Sequence, residues 1–261
     1  MRGHYTRAQV IKALKEAGVQ AGDTMFSHVS LLNLGLMTGV RSADVLVQEF
    51  TSAILEVIGA EGCFLTPTFS YSFCKHEDFY PAKTPSDCGP FSNIFLNMSN
   101  VRRSQDPIFS VAGTGQVGTL FDHLPATSLG EDCLYQRLLD RNVKVVNIGL
   151  TLEYLTAIHH LEKKLSVPYR YDKVFSGNLI NDSQQKTLDW IYYVRDLDVP
   201  SEPDCSELER VGLEKGLVKK VPLGLGYLTA VSLVPYFQLA EQCQQNDPWF
   251  LTRGADWKTK P

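Results

Sequence analysis

Two capped amphipathic helices, each followed by a short apolar run, constrain the fold of this chain more than any other feature. Thr6 precedes Ala8, Ile11, Leu14 and Ala17, which recur at helical spacing, and Gly18 stands just past the last of them. A side-chain oxygen at the N-cap and a glycine beyond the C-terminus are the start and stop signals of a short helix. Thr24 to His28 then reads as a strand. Ser42 is placed to cap a second helix carrying Val45, Leu46, Phe50, Ile54, Leu55 and Ile58 before Gly59, and Cys63 to Pro67 reads as a buried strand.

Between Thr68 and Pro90 the pattern lapses into aromatic, charged and Pro-rich sequence, the mark of a functional loop in a compact domain. Regular structure resumes with a helix over Phe91 to Met98, a strand over Ile108 to Ala112, a helix over Asp132 to Asp140 and a strand over Val143 to Ile148. A helix carrying His159 follows that strand. Tyr169 to Ile180 and Thr187 to Val194 read as antiparallel strands joined by Asn181, Asp182 and Ser183, and Ser232 to Gln245 as a last amphipathic helix. Early strand-helix alternation with a later hairpin predicts an α/β protein, a three-layer α/β/α arrangement around a mixed central sheet. No repeat or linker divides the chain, so residues 1–261 are expected to form a single domain.

A content of 44% hydrophobic and 21% charged residues over 261 positions is enough for a large core. No apolar run approaches the roughly 18 residues needed to span a bilayer, and the segment Met1 to Arg7 lacks the apolar stretch of a signal peptide. The expectation is a cytoplasmic protein with no membrane partner. The six cysteines are scattered with no C-x-x-C pair and no zinc spacing, so no metal is expected. A net charge of −4 gives no basic footprint for nucleic acid.

The segment Thr156-Ala-Ile-His159-His160-Leu-Glu162 sets an imidazole and a carboxylate at i, i+3. Leu152, Leu155, Thr156, His159 and Glu162 share one face of a continuous helix, so His159 is expected inside; His160, rotated by about 100°, is expected on the side of Glu153 and Lys164. A buried histidine oriented by a carboxylate is a general-base arrangement, and it is also common without catalysis.

A competing signal is Gly113-Thr-Gly115-Gln-Val-Gly118, which fits G-x-G-x-x-G after a strand and would suggest a nicotinamide dehydrogenase. Pro125 truncates any helix after it, and Asp140 precedes the next strand instead of ending it, where a ribose-binding acid belongs. A Gly-rich turn beside the ligand cleft is the preferred reading.

Several segments, in order, resemble the aminoglycoside 3-N-acetyltransferase family. They are Gly22-Asp23 through Ser27-His28-Val29-Ser30-Leu31; Pro67-Thr68-Phe69-Ser70; Thr84-Pro85-Ser86; Arg103 with Asp106-Pro107 and Ser110-Val111-Ala112; Thr156, His159 and Glu162; and Val167 to Arg170. The resemblance covers roughly the first two thirds of the chain. It implies direct acyl transfer from coenzyme A to a sugar amine in a ternary complex, with His159 as base and Glu162 orienting it. The strand end carrying His28, Val29, Ser30 and Leu31 opens into a loop whose backbone N–H groups are expected to meet the coenzyme; by the resemblance Thr68, Ser110 and Val111 line the same cleft, and Tyr71, Asp106 and Asp132 are expected on the acceptor side. Two positions depart from the family pattern: its His before Pro is Asp106 here, and its Asn before the threonine is Leu155.

The co-substrate expected is an acyl-CoA, carrying acetyl or a short 3-hydroxyacyl group. The loop from Ser70 to Pro90 mixes Tyr71, Phe73, Lys75, His76, Phe79, Tyr80 and Lys83 with Glu77, Asp78 and Asp87, which leans away from a polycation. The acceptor expected is therefore a nucleotide-linked deoxyamino sugar destined for a surface polysaccharide such as O-antigen, with aminoglycoside 3-N-acetylation as the alternative. Cys133 as an acyl-accepting thiol, a dehydrogenase and an idle binding protein stand further back. A homodimer is left open.

Overall fold

The structure is a computed structural model describing residues 3–181 and 184–254. In chain order its helices and strands are α1 (Arg7–Glu16), β1 (Thr24–Phe26), α2 (Ala43–Ile58), β2 (Cys63–Pro67), α3 (Pro90–Leu96), β3 (Arg102–Arg103), β4 (Val111–Gly115), α4 (Leu134–Asp140), β5 (Lys144–Ile148), α5 (Ile158–Lys164), β6 (Arg170–Asn181), β7 (Gln184–Arg195), α6 (Ser206–Glu214), β8 (Lys219–Leu223), β9 (Gly226–Ser232) and α7 (Leu233–Asn246).

The first two helices form for the reasons legible in sequence. Thr6 and Gln9 make a reciprocal capping box on α1, and the Ser42 hydroxyl accepts from Val45 N at the start of α2. Seven strands form one mixed sheet in the order β3-β4-β2-β1-β5-β9-β8. β1 lies parallel to both β2 and β5, while β4 and β9 run antiparallel on either side of that parallel core. Alternate side chains feed opposite faces, as the pleat requires. Met25, Phe64 and Val146 pack with α1, α2 and α3, whereas Phe26, Leu65 and Val145 pack with α4, α5, α6 and α7. The result is the expected three layers around a mixed sheet. Each fully buried large apolar side chain contributes about 1.5–3 kcal/mol by removal from water, which makes this double core the main source of stability.

β6 and β7 pair over twelve residues each as a separate two-stranded ribbon. Trp190, Tyr193 and Leu179 anchor the ribbon in the core on the α5 side of the sheet. The expected turn residues Asp182 and Ser183 lie outside the described residues. The long segment after β2 is irregular apart from one 3-10 turn at Phe73–Lys75, yet Phe69, Phe73 and Phe79 bury it against the ribbon side.

Four expectations are corrected. The strand expected from Ile108 begins at Val111, because Ile108 and Phe109 form a turn capped by Asp106. Gly113 and Gly115 lie within antiparallel β4, and only a 3-10 turn at Gly118–Phe121 follows, so no nucleotide-binding βα unit exists there. Gly115 pairs with Cys63, at the start of β2; the glycine-rich segment therefore sits at the opposite end of the sheet from the loops after β1, β2 and β5, not beside the cleft. The helix expected to run from Leu152 through Glu162 is broken into a 3-10 turn at Leu152–Tyr154 and α5, separated at Leu155 to Ala157. Finally, α6 and the β8-β9 hairpin were not expected from sequence, although Leu208 and Val211 recur at helical spacing in α6 and Val221 and Leu223 alternate in β8.

Candidate active site

The loops that leave the C-terminal ends of the parallel strands meet above the sheet, where ligands of open α/β sheets usually bind. Ser30 N donates to Ile148 O and Asn33 Nδ2 to Gly149 O, joining the segment after β1 to the end of β5. Gly149 makes that approach possible. Its φ is +68°, and a Cβ there would stand 2.3 Å from Ser30 O.

α5 then presents His159 to the cleft. Ile158 and Leu161 turn into the core, and Glu162, 1% exposed, is drawn in with them. His159 Nδ1–H donates to Glu162 Oε2 at 2.6 Å. The Tyr169 hydroxyl donates to Glu162 Oε1 at 3.0 Å, and Gln244 lies 2.9 Å from that hydroxyl. Arg170, with a side chain 2% exposed, brings Nε within 2.7 Å of Glu162 Oε2, in ion-pair contact but not in aligned hydrogen-bond geometry. Its Nη2 lies 3.0 Å from His159 Nδ1.

These contacts set the charges. Burial, then the neighbouring Arg170 guanidinium, hold His159 below the ordinary histidine range, with Glu162 opposing both. Burial pushes Glu162 up, but His159, Arg170 and Tyr169 outweigh it and the carboxyl ends below its usual value. Glu162 is thus ionised and His159 neutral near pH 7, the pairing required of an oriented base.

His159 opens onto a cavity of about 340 Å³ lined by Tyr71, Phe109, Thr156, Arg170, Tyr192 and Arg195, among others. Phe109 stacks on the His159 ring at 6.3 Å between centroids, and Tyr192 meets Phe109 edge-on. Tyr71 reaches the cleft from a left-handed backbone conformation, φ 52°. Thr156 closes the inner wall, with its Oγ1 2.9 Å from His28 Nε2. Burial holds His28 down to about 3, so it is neutral, and its Nδ1 is buried with no partner.

The structure thus brings together His159, Glu162, His28 and Tyr71 from the residues singled out in sequence. Val29 bridges to Ile148 beside them, and Ser30 and Leu31 follow beyond the C-terminal end of β1. Thr68, Ser110 and Val111 have no exposed surface. Ser110 Oγ donates to Thr68 O, and Arg103 bonds Ser110 Oγ and the carbonyls of Thr68, Pro81 and Thr84, so these hydroxyls hold the loop after β2 in place. Asp106 is 6% exposed and spends Oδ1 on the N–H groups of Ile108 and Phe109 and on the Ser128 hydroxyl. It shapes the Phe109 wall from behind. Asp132 is exposed before α4 and does not line the cavity.

His160 is a correction. It is 2% exposed, with Nε2 2.9 Å from Gln136 Oε1 and Nδ1 3.7 Å from Cys133 Sγ, because α4 covers the side of α5 expected to face Lys164 and solvent. Cys133 accordingly pairs with His160, not with His159, and burial pushes its thiol up, away from the thiolate an acyl acceptor needs. Sequence reasoning assigned no role to Arg170, Tyr169, Tyr192 or Arg195. Arg170 and Tyr169 stand in the quoted Val167 to Arg170 motif, which could have marked them; Tyr192 and Arg195 carry no local signal. Among the described residues no group of three or more His, Cys, Asp or Glu side chains is arranged to hold a metal ion, and no helix is long and apolar enough to cross a membrane.

Aminoglycoside N(3)-acetyltransferase IV of Salmonella sp is 27% identical over 231 residues, covering 86% of this chain and 81% of that protein. Aminoglycoside N(3)-acetyltransferase III of Salmonella sp is 24% identical, and the chain spans only 62% of its length. The fold is shared with the crystal structure of aminoglycoside acetyltransferase AAC(3)-Xa at a TM-score of 0.79 and 18% identity, covering 95% of this chain and 94% of that one. It is shared also with AAC-IIIb solved as a binary complex with CoASH, at a TM-score of 0.76 and 16% identity, covering 92% and 97%. The sequence profile described as Aminoglycoside 3-N-acetyltransferase matches residues 26–245, which include every element that builds the cleft, and the chain belongs to that family.

Proposed function

We propose that the protein is an acyl-CoA-dependent N-acetyltransferase that acetylates the amine of an amino sugar, formed as one domain over residues 1–261. The observation that carries the reading is the His159–Glu162 pair, 2.6 Å apart, opening onto an aromatic cleft in a chain of this family. The CoASH complex of AAC-IIIb supports coenzyme A as the acyl carrier. The partnerless His28 Nδ1 and the strand end at Val29 to Leu31 suit a polar pantetheine arm entering beside Thr156.

In this mechanism His159 Nε2, on the far side of the ring from Glu162, removes a proton from the acceptor nitrogen as its lone pair attacks the thioester carbonyl. The C–N bond forms, the C–S bond breaks, and the coenzyme leaves as a thiolate that takes up the proton. Glu162 holds the Nδ1–H tautomer throughout. A general base of this kind contributes roughly 10²- to 10⁴-fold.

The names of the relatives support an aminoglycoside acceptor ahead of the nucleotide-linked amino sugar expected from sequence. One observation keeps the second reading. The residues that line the cavity include Arg170, Arg195 and aromatic rings but no carboxylate; Arg170 is paired with Glu162 and Arg195 with Glu202. A polycation usually finds free carboxylates, whereas cations and rings suit a neutral or anionic sugar.

Thiol release from acetyl-CoA and from 3-hydroxybutyryl-CoA, followed with DTNB across aminoglycosides and nucleotide-linked amino sugars, tests both. Release with aminoglycosides supports the first reading and release only with nucleotide sugars the second. Silence throughout overturns the transferase assignment.

A further inference from the structure

Arg170 occupies a place that the acyl-transfer reading does not use. Its guanidinium and the His159 imidazole address one and the same carboxylate oxygen, Glu162 Oε2, at 2.7 Å and 2.6 Å. Arg170 Nη1 is tied to Tyr193 O at 3.3 Å, and Nη2 faces His159 Nδ1 at 3.0 Å. Arginine has no acceptor and the Nδ1 proton is committed to Glu162, so that last contact sets two N–H groups side by side. A pair of imidazole and carboxylate alone would retain a proton strongly, because the buried carboxylate would stabilise imidazolium.

We propose that Arg170 is a positioning residue of the base: it neutralises Glu162, so that the carboxylate orients His159 without holding a proton on it. The inference rests on His159 being the base. Burial lowers His159 most, and Arg170 is the buried charge that offsets Glu162, since the other groups facing His159 are weak in charge. His28 just after β1, Tyr71 after β2, Tyr169 just before β6 and Tyr192 in β7 are neutral at pH 7. Asp106 lies behind Phe109 and is engaged with backbone N–H groups. Arg195 at the rim is partnered by Glu202 at 2.8 Å. Arg170 is therefore the fixed, buried charge that adds to burial in shortening the time a captured proton stays on the ring.

The experiment is a pH titration of the histidine imidazoles by NMR in the intact protein, with His159 assigned from the signal lost in His159→Asn, run beside the pH profile of kcat/KM. In the native protein the midpoint is expected below the ordinary histidine value of about 6.5. In Arg170→Gln it moves up by about one unit or more, and the acid limb of the rate profile follows it. Arg170→Lys, which keeps the charge, restores most of the native midpoint. The KM for acetyl-CoA changes little in either. An activity loss in Arg170→Gln with an unmoved midpoint would mean a purely structural role and overturn the proposal. So would a native midpoint at or above 6.5, a readout that stands if Arg170→Gln fails to fold. The titration needs no acceptor, so it is distinct from failure of the transferase reading, which shows as absent thiol release.

Discussion

His160 Nε2 sits 2.9 Å from Gln136 Oε1, on the side of α5 that α4 covers, one residue along the chain from an imidazole that opens onto the cleft. Neighbouring histidines are thereby separated into a buried polar strut and a ring that faces the cavity.

Replacing each should give different phenotypes. His159→Asn is expected to lower kcat by roughly 10²- to 10⁴-fold with coenzyme binding little changed. His160→Ala should leave a folded enzyme active but lower its stability by about 1–3 kcal/mol, since it strands Gln136 and opens a buried gap. Thiol-release kinetics and thermal melts of both variants check this.

Glu162→Gln should be far more damaging to folding than to orientation alone. Arg170 would remain buried without its counter-charge, at a cost of about 3–5 kcal/mol. Urea unfolding should show that loss, and the double variant Glu162→Gln/Arg170→Met should recover part of it.

Asp106 carries a pH signature. Burial, opposed by its hydrogen bonds to Ile108, Phe109 and Ser128, raises its carboxyl to about 6. The folded state therefore binds a proton that the unfolded chain, with a carboxyl near 3.9, has lost. Stability attributable to this group is complete below pH 4 and falls as pH rises through about 4 to 6. Melting temperatures over that range should show a steeper fall in the native protein than in Asp106→Asn, which lacks the titration.

Gly149→Ala tests the junction between the segment after β1 and the end of β5. A side chain at φ +68° and 2.3 Å from Ser30 O must push the two apart. The expected result is a loss of about 1–3 kcal/mol together with a raised KM for acetyl-CoA, read from melts and steady-state kinetics.

The sequence by itself determined the local elements and the pairing of His159 with Glu162. Thr6 and Ser42 cap helices because a hydroxyl satisfies free N–H groups within three residues, and the short continuous run from Cys63 to Pro67 reports a strand buried on both faces; such signals need no partner distant in the chain. His159 and Glu162 were legible for the same reason, since one helical turn joins them. What only the tertiary structure decided is everything set by elements far apart in sequence. α4 buried His160, the ribbon carried Tyr192 and Arg195 to the cleft, and antiparallel pairing of β4 with β2 took Gly115 to the far end of the sheet. The chain folded Arg170 back onto the oxygen that orients the base. Periodicity says which face of a helix is apolar, but the charge and polarity of what packs there depend on contacts between distant segments, and those contacts set the protonation of the site.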